Sequence, residues 1–247
     1  MDDEIDGLTP FPPYKIFPLG DSALTIDFGN VINEEINKKV ISLFHYLLRH
    51  PINGMIEAVP AYSSLTIFYD LFLVKQKQSD DTTAYEFMRS HAEEFLLKNI
   101  EADAGISNII HIPVCYDKEF GIDLKWMSDQ KNISTEEIIQ IHCSKNYRVY
   151  MLGFLPGFAY MGVVGEKIAV PRKSQPQKII AGSVGIAGRQ TGIYPMNSPG
   201  GWQIIGRTPL KLFDPNRQDP CLLTAGDEVE FHSITKDEFE NYQGRNS

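Results

Sequence analysis

Short apolar runs interrupted by glycine and proline make up the chain from Tyr147 onward. The runs are YRVYMLGFLPGFAYMGVVG, KIIAGSVGIAGRQTGIYPM, GWQIIGRTPLKLF and EVEFHSI. Most of the 19 glycines fall in this half, and tight strand corners and close backbone approaches require residues that lack a Cβ atom. This spacing predicts a mainly-β domain at residues 111–240, built as a closed or nearly closed barrel.

The first half of the chain has a different pattern, in which strand-like and helix-like segments alternate. In order, they are a strand at 15–29, a helix from the cap Asn33 to about Arg49, strands at 54–61 and 64–70, a polar loop at 75–83, a helix with Tyr85, Met88, Ala92, Phe95 and Leu96 on one stripe, and a strand at 107–116. This order is typical of a ferredoxin-like split βαβ unit. We therefore predict an α+β N-terminal domain at residues 10–110.

Two short helices are predicted between the two halves. One spans about residues 123–129, and the other begins at Ser134 and ends near Cys143. In the second helix, Ser134 stands three residues before Glu137. This is a capping box, which satisfies free backbone N–H groups at the start of a helix.

The balance of charges excludes two classes of partner. Lys and Arg total 23 against 32 Asp and Glu, so the formal net charge is -9, and an anionic surface repels phosphate backbones and acidic membrane faces. No stretch reaches the ~20 apolar residues that span a bilayer. The acidic N-terminal sequence MDDEIDGLTPFPPY lacks the basic and apolar regions of a signal peptide. We expect a cytoplasmic protein that binds neither nucleic acid nor membrane.

Nucleophilic and metal-binding residue types are scattered along the chain. The three cysteines, Cys115, Cys143 and Cys221, are widely spaced, which indicates free thiols in a reducing compartment. The six histidines form no HExxH motif, and His111 is too far from Cys115 on one strand to share a metal without other ligands. No GxSxG elbow is present, and His142 precedes Cys143 on a helix, where adjacent side chains point apart. We predict no metal site and no hydrolase nucleophile of these types.

The glycine-rich stretch at 182–188 is the best match to a phosphate-binding loop, but it is a poor one. It lacks the Lys and Ser/Thr of a P-loop and the spacing of a dinucleotide fold. Val184 and Ile186 alternate as they do on the face of a strand. We predict a barrel strand with glycine corners.

Aromatic side chains stand beside turn residues at two places in the barrel half, 153–160 (GFLPGFAY) and 198–202 (SPGGW). Loops of this kind at a barrel mouth either enclose a small ligand or pack against one another as a hydrophobic cluster. A guanidinium group at a cleft suits a carboxylate or a phosphate, whereas a single arginine is more often a surface residue. Four cations are candidates for such a cleft: Arg172, Lys173, Arg189 and Arg207.

Several separate motifs resemble one family. Four stretches, in this order and spacing, closely resemble the KipI or allophanate hydrolase subunit 1 family, which includes the B subunit of bacterial 5-oxoprolinase. They are GFLPGFAYMG, the Pro171-Arg172 pair, AGSVGIAGRQTGIYP and SPGGWQIIGRTPL. The runs IPVCYDKEFGIDL and EEIIQIH are also similar to this family, and the resemblance covers about residues 10–235. One departure is Asp117-Lys118, which stands where many members have a pair of glycines before Glu119.

The resemblance implies a fold and an activity. The fold is an α+β domain followed by a cyclophilin-like barrel. The activity is that of one subunit of an ATP-dependent 5-oxoprolinase, which cleaves 5-oxoproline to glutamate with two partners, a KipA-like C subunit plus a LamB/YcsF-like A subunit. A lactam amide is resonance-stabilised, so opening it at neutral pH needs an electrophilic push or phosphorylation of its oxygen, which is the role of ATP. Since this chain has no nucleotide motif, we expect the partners to bind much of the ATP and this chain to be inactive alone.

Motif position and polarity, taken with the resemblance, suggest site residues. His142, Glu119 and Asp123 are the candidates for an acid or base, and Arg172 is the expected clamp for an anionic group. The residues expected to bind and orient the substrate beside Arg172 are Phe158, Gln190, Tyr194 and Trp202.

Two other functions stay open at this point. The name of the KipI family records inhibition of a sporulation-type or sensor histidine kinase, for which an exposed apolar patch of the barrel would grip a helical bundle. Related domains form the carboxyltransferase part of urea carboxylase, so urea or another small amide is a second candidate substrate. Neighbouring genes discriminate the two classes: genes for the A and C subunits favour the enzyme, and a sensor kinase gene favours the inhibitor.

Overall fold

The computed structural model describes residues 12–76, 82–97 and 109–245. Most of the acidic N-terminal sequence lies outside the described residues, as does most of the predicted polar loop at 75–83. The chain divides into two compact units, Met1–Ile106 and Ser107–Ser247. Within the described residues, no helix is both long and apolar enough to cross a membrane.

The described part of the N-terminal unit is a four-stranded antiparallel sheet with helices. Its elements are β1 (Lys15–Pro18), β2 (Ala23–Asp27), α1 (Glu34–Arg49), β3 (Met55–Pro60), β4 (Ser64–Tyr69), α2 (Leu71–Lys75) and α3 (Ala84–Leu97). The strands pair in the order β1-β2-β4-β3. Helices α1 and α3 contact the sheet and bury apolar side chains in one core, among them Val40, Leu43, Leu47, Met88 and Phe95.

Helix α1 begins at the predicted cap. The Asn33 side chain accepts a hydrogen bond from the Ile36 N–H over 3.0 Å, which satisfies one of the free donors at the helix start. Glu34 and Glu35 lie in the first turn, where a negative charge is stabilised by the helix dipole. The helix ends at Arg49, as predicted.

Two features of this unit correct the ferredoxin-like prediction. The predicted strand at 15–29 is a hairpin of β1 and β2, with Gly20 in its turn at a positive φ of 65°, a conformation that glycine adopts without strain. Residues 109–115 of the predicted closing strand at 107–116 are part of the barrel instead, because they pair with a strand near the C-terminus, and residues 107–108 lie outside the described residues. The sheet position beside β2 is taken by β1. The N-terminal unit is thus α+β, with the last predicted strand placed elsewhere.

Seven strands of the C-terminal unit form a closed barrel, which confirms the prediction from the glycine-rich pattern. The elements of this unit are β5 (Ile109–Cys115), α4 (Leu124–Lys131), α5 (Thr135–Cys143), β6 (Asn146–Leu152), β7 (Ala159–Gly162), β8 (Gln177–Ile179), β9 (Ser183–Ala187), β10 (Gln190–Ile193), β11 (Ser198–Gly200), β12 (Gln203–Arg207), β13 (Glu228–Ile234) and α6 (Lys236–Arg245). The barrel order is β10-β7-β6-β13-β5-β12-β9, closed by pairing of β9 with β10. Strands β8 and β11 form a separate two-stranded sheet.

Strand β9 is the glycine-rich stretch. All of its residues are buried, and it pairs with β10 on one edge and β12 on the other. Gly182 and Gly188 flank it at positive φ values of 83° and 59°. Its backbone N–H groups serve the sheet ladder, so the predicted strand with glycine corners is confirmed and a phosphate cradle is excluded.

Helices α4 and α5 contact each other and the barrel strands β12 and β13. The Ser134 side chain caps α5 by accepting a hydrogen bond from the Glu137 N–H over 3.0 Å, as the capping box predicts. The helices bury Leu124, Met127 and Ile138 against the barrel core. This packing fixes the residues just before α4 and at the end of α5.

Candidate functional site

A cavity of about 670 Å³ lies among the segments 154–160, 171–176, 187–194 and 199–202. We call it the aromatic cavity. The structure places all five residues predicted to bind substrate in its lining, namely Arg172, Phe158, Gln190, Tyr194 and Trp202. The other lining residues are Phe154, Tyr160, Pro171, Pro176, Ala187, Gly188, Pro199, Gly200 and Gly201. Its size is that of a site for a small organic molecule.

Phe158 is the centre of the aromatic wall. Its ring centroid lies 4.8 Å from that of Tyr160, 5.2 Å from that of Tyr194 and 5.4 Å from that of Trp202, all in edge-on contacts. Edge-on packing of this kind stabilises an aromatic cluster beyond the burial of its area. Phe158, Tyr194 and Trp202 are almost completely buried. The wall is therefore preformed and rigid.

Glycines permit this close packing of rings. A Cβ atom on Gly200 would collide with the Tyr194 hydroxyl and lie 2.7 Å from two carbons of its ring. A Cβ atom on Gly192 would lie 3.0 Å from the Trp202 ring and 3.2 Å from the Phe158 ring. Any side chain at these positions would displace the rings from the wall.

Arg172 supplies the positive charge of the aromatic cavity. Its side chain is exposed and passes close to Gly201, where a Cβ atom would lie 3.4 Å from a terminal guanidinium nitrogen. Burial raises the pKa of both Tyr160 and Tyr194, although the nearby Arg172 charge lowers it in part. Both hydroxyls therefore stay protonated at neutral pH and can donate hydrogen bonds.

Asp123 lies just before α4 and ties the Arg172 segment to the barrel. Its carboxylate forms an ion pair with Lys173 over 2.6 Å and accepts a hydrogen bond from the Ile204 N–H over 2.6 Å. The Lys173 N–H also donates to the Gly201 carbonyl over 2.7 Å. Lys173 and Asp123 are only 11% and 16% exposed. Asp123 is thus placed to position Arg172 and is absent from the cavity lining.

His142 lies near the end of α5, where it stacks on the barrel residues Tyr147 and Phe231, and not in the aromatic cavity. It is fully buried, and burial lowers its pKa to about 3. Its Nδ1 is 2.8 Å from the Tyr116 hydroxyl and its Nε2 is 3.0 Å from Thr191 Oγ1, which itself donates to the Gly185 carbonyl. These partners assign the neutral form with the proton on Nε2. Both nitrogens are engaged and the side chain is fully buried, so the structure does not bring His142 together with the predicted substrate-binding residues.

Three more of the predicted charged residues lie outside the aromatic cavity: Glu119, Arg189 and Arg207. Glu119 is 59% exposed and forms an ion pair with Lys236 over 2.5 Å. Arg189 is exposed and pairs with Glu166 over 3.6 Å. Arg207 lines a second, smaller cavity. Of the four cations predicted to surround the cleft, only Arg172 is in its lining. Lys173 pairs with Asp123, Arg189 stands in the turn between β9 and β10, and Arg207 is the last residue of β12.

The lining of the aromatic cavity sets what it can do chemically. None of the described residues that line it is an acid, a histidine, a lysine or a cysteine. No group of three metal-ligating side chains occurs among the described residues. The cavity can hold and orient a ligand and exclude water from it, but it offers no general base that is active at neutral pH.

Two aromatic residues of the site, Phe154 and Tyr160, lie in the predicted aromatic stretch at 153–160 but were not among the residues predicted to bind substrate. Tyr160 follows Phe158 by two residues, so alternation along the strand puts both on one side, and this signal was available. Phe154 is 60% exposed at a positive φ of 68°, and its ring meets those of Phe158 and Tyr194 edge-on. Nothing in the sequence indicates that conformation, which non-glycine residues rarely adopt.

Comparisons with known proteins identify the family. The profile of the family described as "Carboxyltransferase domain, subdomain C and D" matches residues 14–223. The chain is 46% identical over 232 residues to the B subunit of 5-oxoprolinase from Bacillus subtilis (strain 168), a match that covers 93% of this chain and 97% of that protein. The resemblance stated from the motifs is thereby confirmed.

Solved structures agree on the fold. The crystal structure of TTHA0988 superposes with a TM-score of 0.73 at 33% identity, over 86% of this chain and 39% of that one. The urea amidolyase of K. lactis superposes with a TM-score of 0.72 over 97% of this chain and 16% of that one, and at 20% identity it shows a common fold alone. The chain belongs to the carboxyltransferase subdomain C and D family, in the group whose 46% identical relative is named as the B subunit of 5-oxoprolinase.

Proposed function

We propose that the chain is the B subunit of an ATP-dependent 5-oxoprolinase and that the aromatic cavity binds 5-oxoproline. The observation that carries the proposal is the convergence of Arg172 with four other predicted ligand residues on one cavity. The relative named as the B subunit of 5-oxoprolinase, which matches over nearly its whole length, supports the same assignment. We also propose the barrel as cyclophilin-like, residues 10–110 and 111–240 as separate domains, and a cytoplasmic location.

The charge and shape of the cavity suit this substrate. 5-Oxoproline is a small ring with one carboxylate, and a guanidinium group binds a carboxylate through paired hydrogen bonds. In this proposal Arg172 holds the carboxylate at the mouth. The rings of Phe158 and Trp202 pack against the pyrrolidinone ring and exclude water from it.

The lactam carbonyl needs donors that stay protonated. The hydroxyls of Tyr160 and Tyr194 meet this condition, because burial raises the pKa of each. We propose that one or both polarise or orient the carbonyl oxygen, together with the Gln190 amide. Each such donor, when aimed at the charge that develops on the oxygen, lowers the barrier to attack.

The remaining chemistry is assigned to the partner proteins in this proposal. The described lining of the cavity has no base, and the glycine-rich stretch is the strand β9 and not a phosphate-binding loop. ATP and the activation of water would then come from the two partners, the KipA-like C subunit plus the LamB/YcsF-like A subunit. Asp123 acts as a positioning residue for Arg172 in this account, and His142 and Glu119 do not contact the substrate.

The test is reconstitution. The purified chain is mixed with the A and C subunits, and 5-oxoproline-dependent ATP hydrolysis is followed. The proposal predicts turnover with all three proteins and none when this chain is omitted. Absence of turnover with all three proteins folded and assembled would contradict it.

The same assay separates the alternatives. Urea added in place of 5-oxoproline tests the carboxyltransferase-type substrate, which the common fold with urea amidolyase leaves as the second candidate. The kinase inhibitor function is less well supported, since the aromatic residues that could form a docking face are gathered around a cavity, with Phe158 and Trp202 buried. Inhibition of a histidine kinase together with no turnover would reverse that order.

A further inference from the structure

The barrel has a second cavity of about 200 Å³. Its lining combines one acid, two cations, a hydroxyl and apolar residues: Glu119, Phe120, Ile122, Lys178, Ile179, Ile180, Ser183, Ile204 and Arg207. Ile179 and Ile204 also pack in the cluster that contains Phe158, Tyr194 and Trp202. The two cavities have no lining residue in common, so the second is a distinct site.

Arg207 is held in place on several sides of this cavity. Its Nε donates a hydrogen bond to the Ala181 carbonyl over 2.8 Å. Its guanidinium carbon lies 6.0 Å from the ring centroid of Phe120 and 5.7 Å from that of Phe239, which is the range of a cation–π contact. Since Nε is occupied, the two terminal nitrogens are the part of the fork left for another acceptor.

The charge of Arg207 has no carboxylate partner among the described residues. Four other arginines each pair with a carboxylate, namely Arg89, Arg148, Arg189 and Arg217. Arg172 and Arg207 do not, and each of the two lines a cavity. Glu119 lines the second cavity too, but its carboxylate pairs with Lys236 over 2.5 Å. In a chain with a net charge of -9, a half-buried arginine left without an acid indicates an anion from outside the described chain.

Ser183 and Lys178 add donors to the same cavity. Ser183 is 6% exposed and stands opposite Arg207 on the paired strands β9 and β12. Lys178 is exposed at the rim. A hydroxyl beside a fixed guanidinium group is an arrangement that suits an oxyanion, because both groups can donate hydrogen bonds to it.

We propose that the second cavity binds a small oxyanion, a carboxylate or a phosphate, end-on at the terminal nitrogens of Arg207. The Ser183 hydroxyl donates a further hydrogen bond to it, and Lys178 closes the mouth. Ile122 and Ile180, which are 57% and 51% exposed, give the rim an apolar surface for the body of the ligand. The site is independent of the aromatic cavity and of the proposed function.

The test is an NMR titration of the full-length ¹⁵N-labelled chain with sodium phosphate and, separately, sodium acetate. Chloride keeps the ionic strength constant, so that screening of surface charges does not change. We expect saturable shifts of the Ser183 and Arg207 amides with at least one probe. Saturation by phosphate alone assigns a phosphate ligand, and saturation by acetate alone assigns a carboxylate ligand. Saturation by both probes shows that the site accepts either oxyanion.

Variants locate the binding. Arg207→Gln is expected to weaken it about tenfold or more, and Arg207→Lys to recover only part, because an ammonium group lacks the planar fork. Arg172→Gln is the matched control and should leave these shifts unchanged. The proposal is overturned if neither probe gives saturable shifts in the wild-type chain, if Arg207→Lys binds as tightly as wild type, or if Arg172→Gln abolishes binding.

Discussion

The carboxylate of Asp123 and the ammonium group of Lys173 are joined over 2.6 Å, although their positions are 50 apart in sequence. The same carboxylate accepts the Ile204 N–H, and Lys173 is the residue after Arg172. One acid therefore connects the segment that carries the cavity's cation to a barrel strand. In the proposed function, Asp123 therefore acts on the ligand through the position of Arg172 and not by contact.

Asp123→Asn removes the charge from this largely buried ion pair. Breaking such a pair leaves Lys173 without its partner, so we expect a loss of about 1–3 kcal/mol in the free energy of unfolding. Denaturant unfolding measures this loss. Asp129→Asn is the matched control, because the Asp129–Lys125 pair is 58% and 80% exposed, and it should change stability by less than about 0.5 kcal/mol. Equal effects of the two changes would refute the positioning role.

Gly200→Ala places a methyl group against the Tyr194 hydroxyl and ring. We expect the ring to move from the wall and the KM for 5-oxoproline in the reconstituted complex to rise about tenfold or more. Gly165→Ala serves as the control, since its Cβ atom meets only the end of the Ile141 side chain, at 3.2 Å. A wild-type KM for Gly200→Ala would show that Tyr194 does not contact the substrate.

His142 makes the stability of the chain depend on pH. Its pKa is about 3 in the folded chain because of burial, against about 6.5 when unfolded. The unfolded state takes up the proton first as pH falls, so stability is lost from about pH 6.5 down to about pH 3. Between pH 7.5 and pH 5.5 this one group removes about 1.4 kcal/mol.

Unfolding measured at both pH values checks this expectation. His142→Gln should be less stable at pH 7.5, because the Tyr116 and Thr191 hydroxyls lose the imidazole nitrogens they bond to. The difference in its free energy of unfolding between the two pH values should be smaller than that of wild type by about 1.4 kcal/mol. His232→Gln alters an exposed histidine and should leave that dependence close to wild type. If wild type and His142→Gln respond equally to pH, His142 is not the neutral group described.

The helices and the barrel could be predicted because their signals are local. Asn33 and Ser134 mark helix starts, and the glycines around β9 mark strand corners. The placement of 107–116 could not be predicted, because its partner strand β13 lies more than a hundred residues later and no local pattern reveals long-range pairing. The division of residues 15–29 into two strands could have been predicted, since Gly20 stands where the hairpin turns.

The aromatic part of the site was predictable, and the charged part was not. Turn residues beside Phe158 and Trp202 indicated a cleft. The positions of Arg189, in the turn between β9 and β10, and of Arg207, at the end of β12, depend on how the barrel closes, which sequence proximity does not give. The burial of His142 was indicated by its position four residues after Ile138 on α5, which puts both on one helix face.

The most direct test of the account is the effect of Arg172→Gln on the reconstituted complex. If Arg172 holds the carboxylate of 5-oxoproline, the KM for 5-oxoproline rises about 10- to 100-fold, in line with the loss of one charge-assisted contact, while the KM for ATP stays at the wild-type value. Arg189→Gln, which breaks only an exposed pair, should change neither. An unchanged KM for 5-oxoproline in Arg172→Gln, or a rise in the KM for ATP instead, would contradict the account.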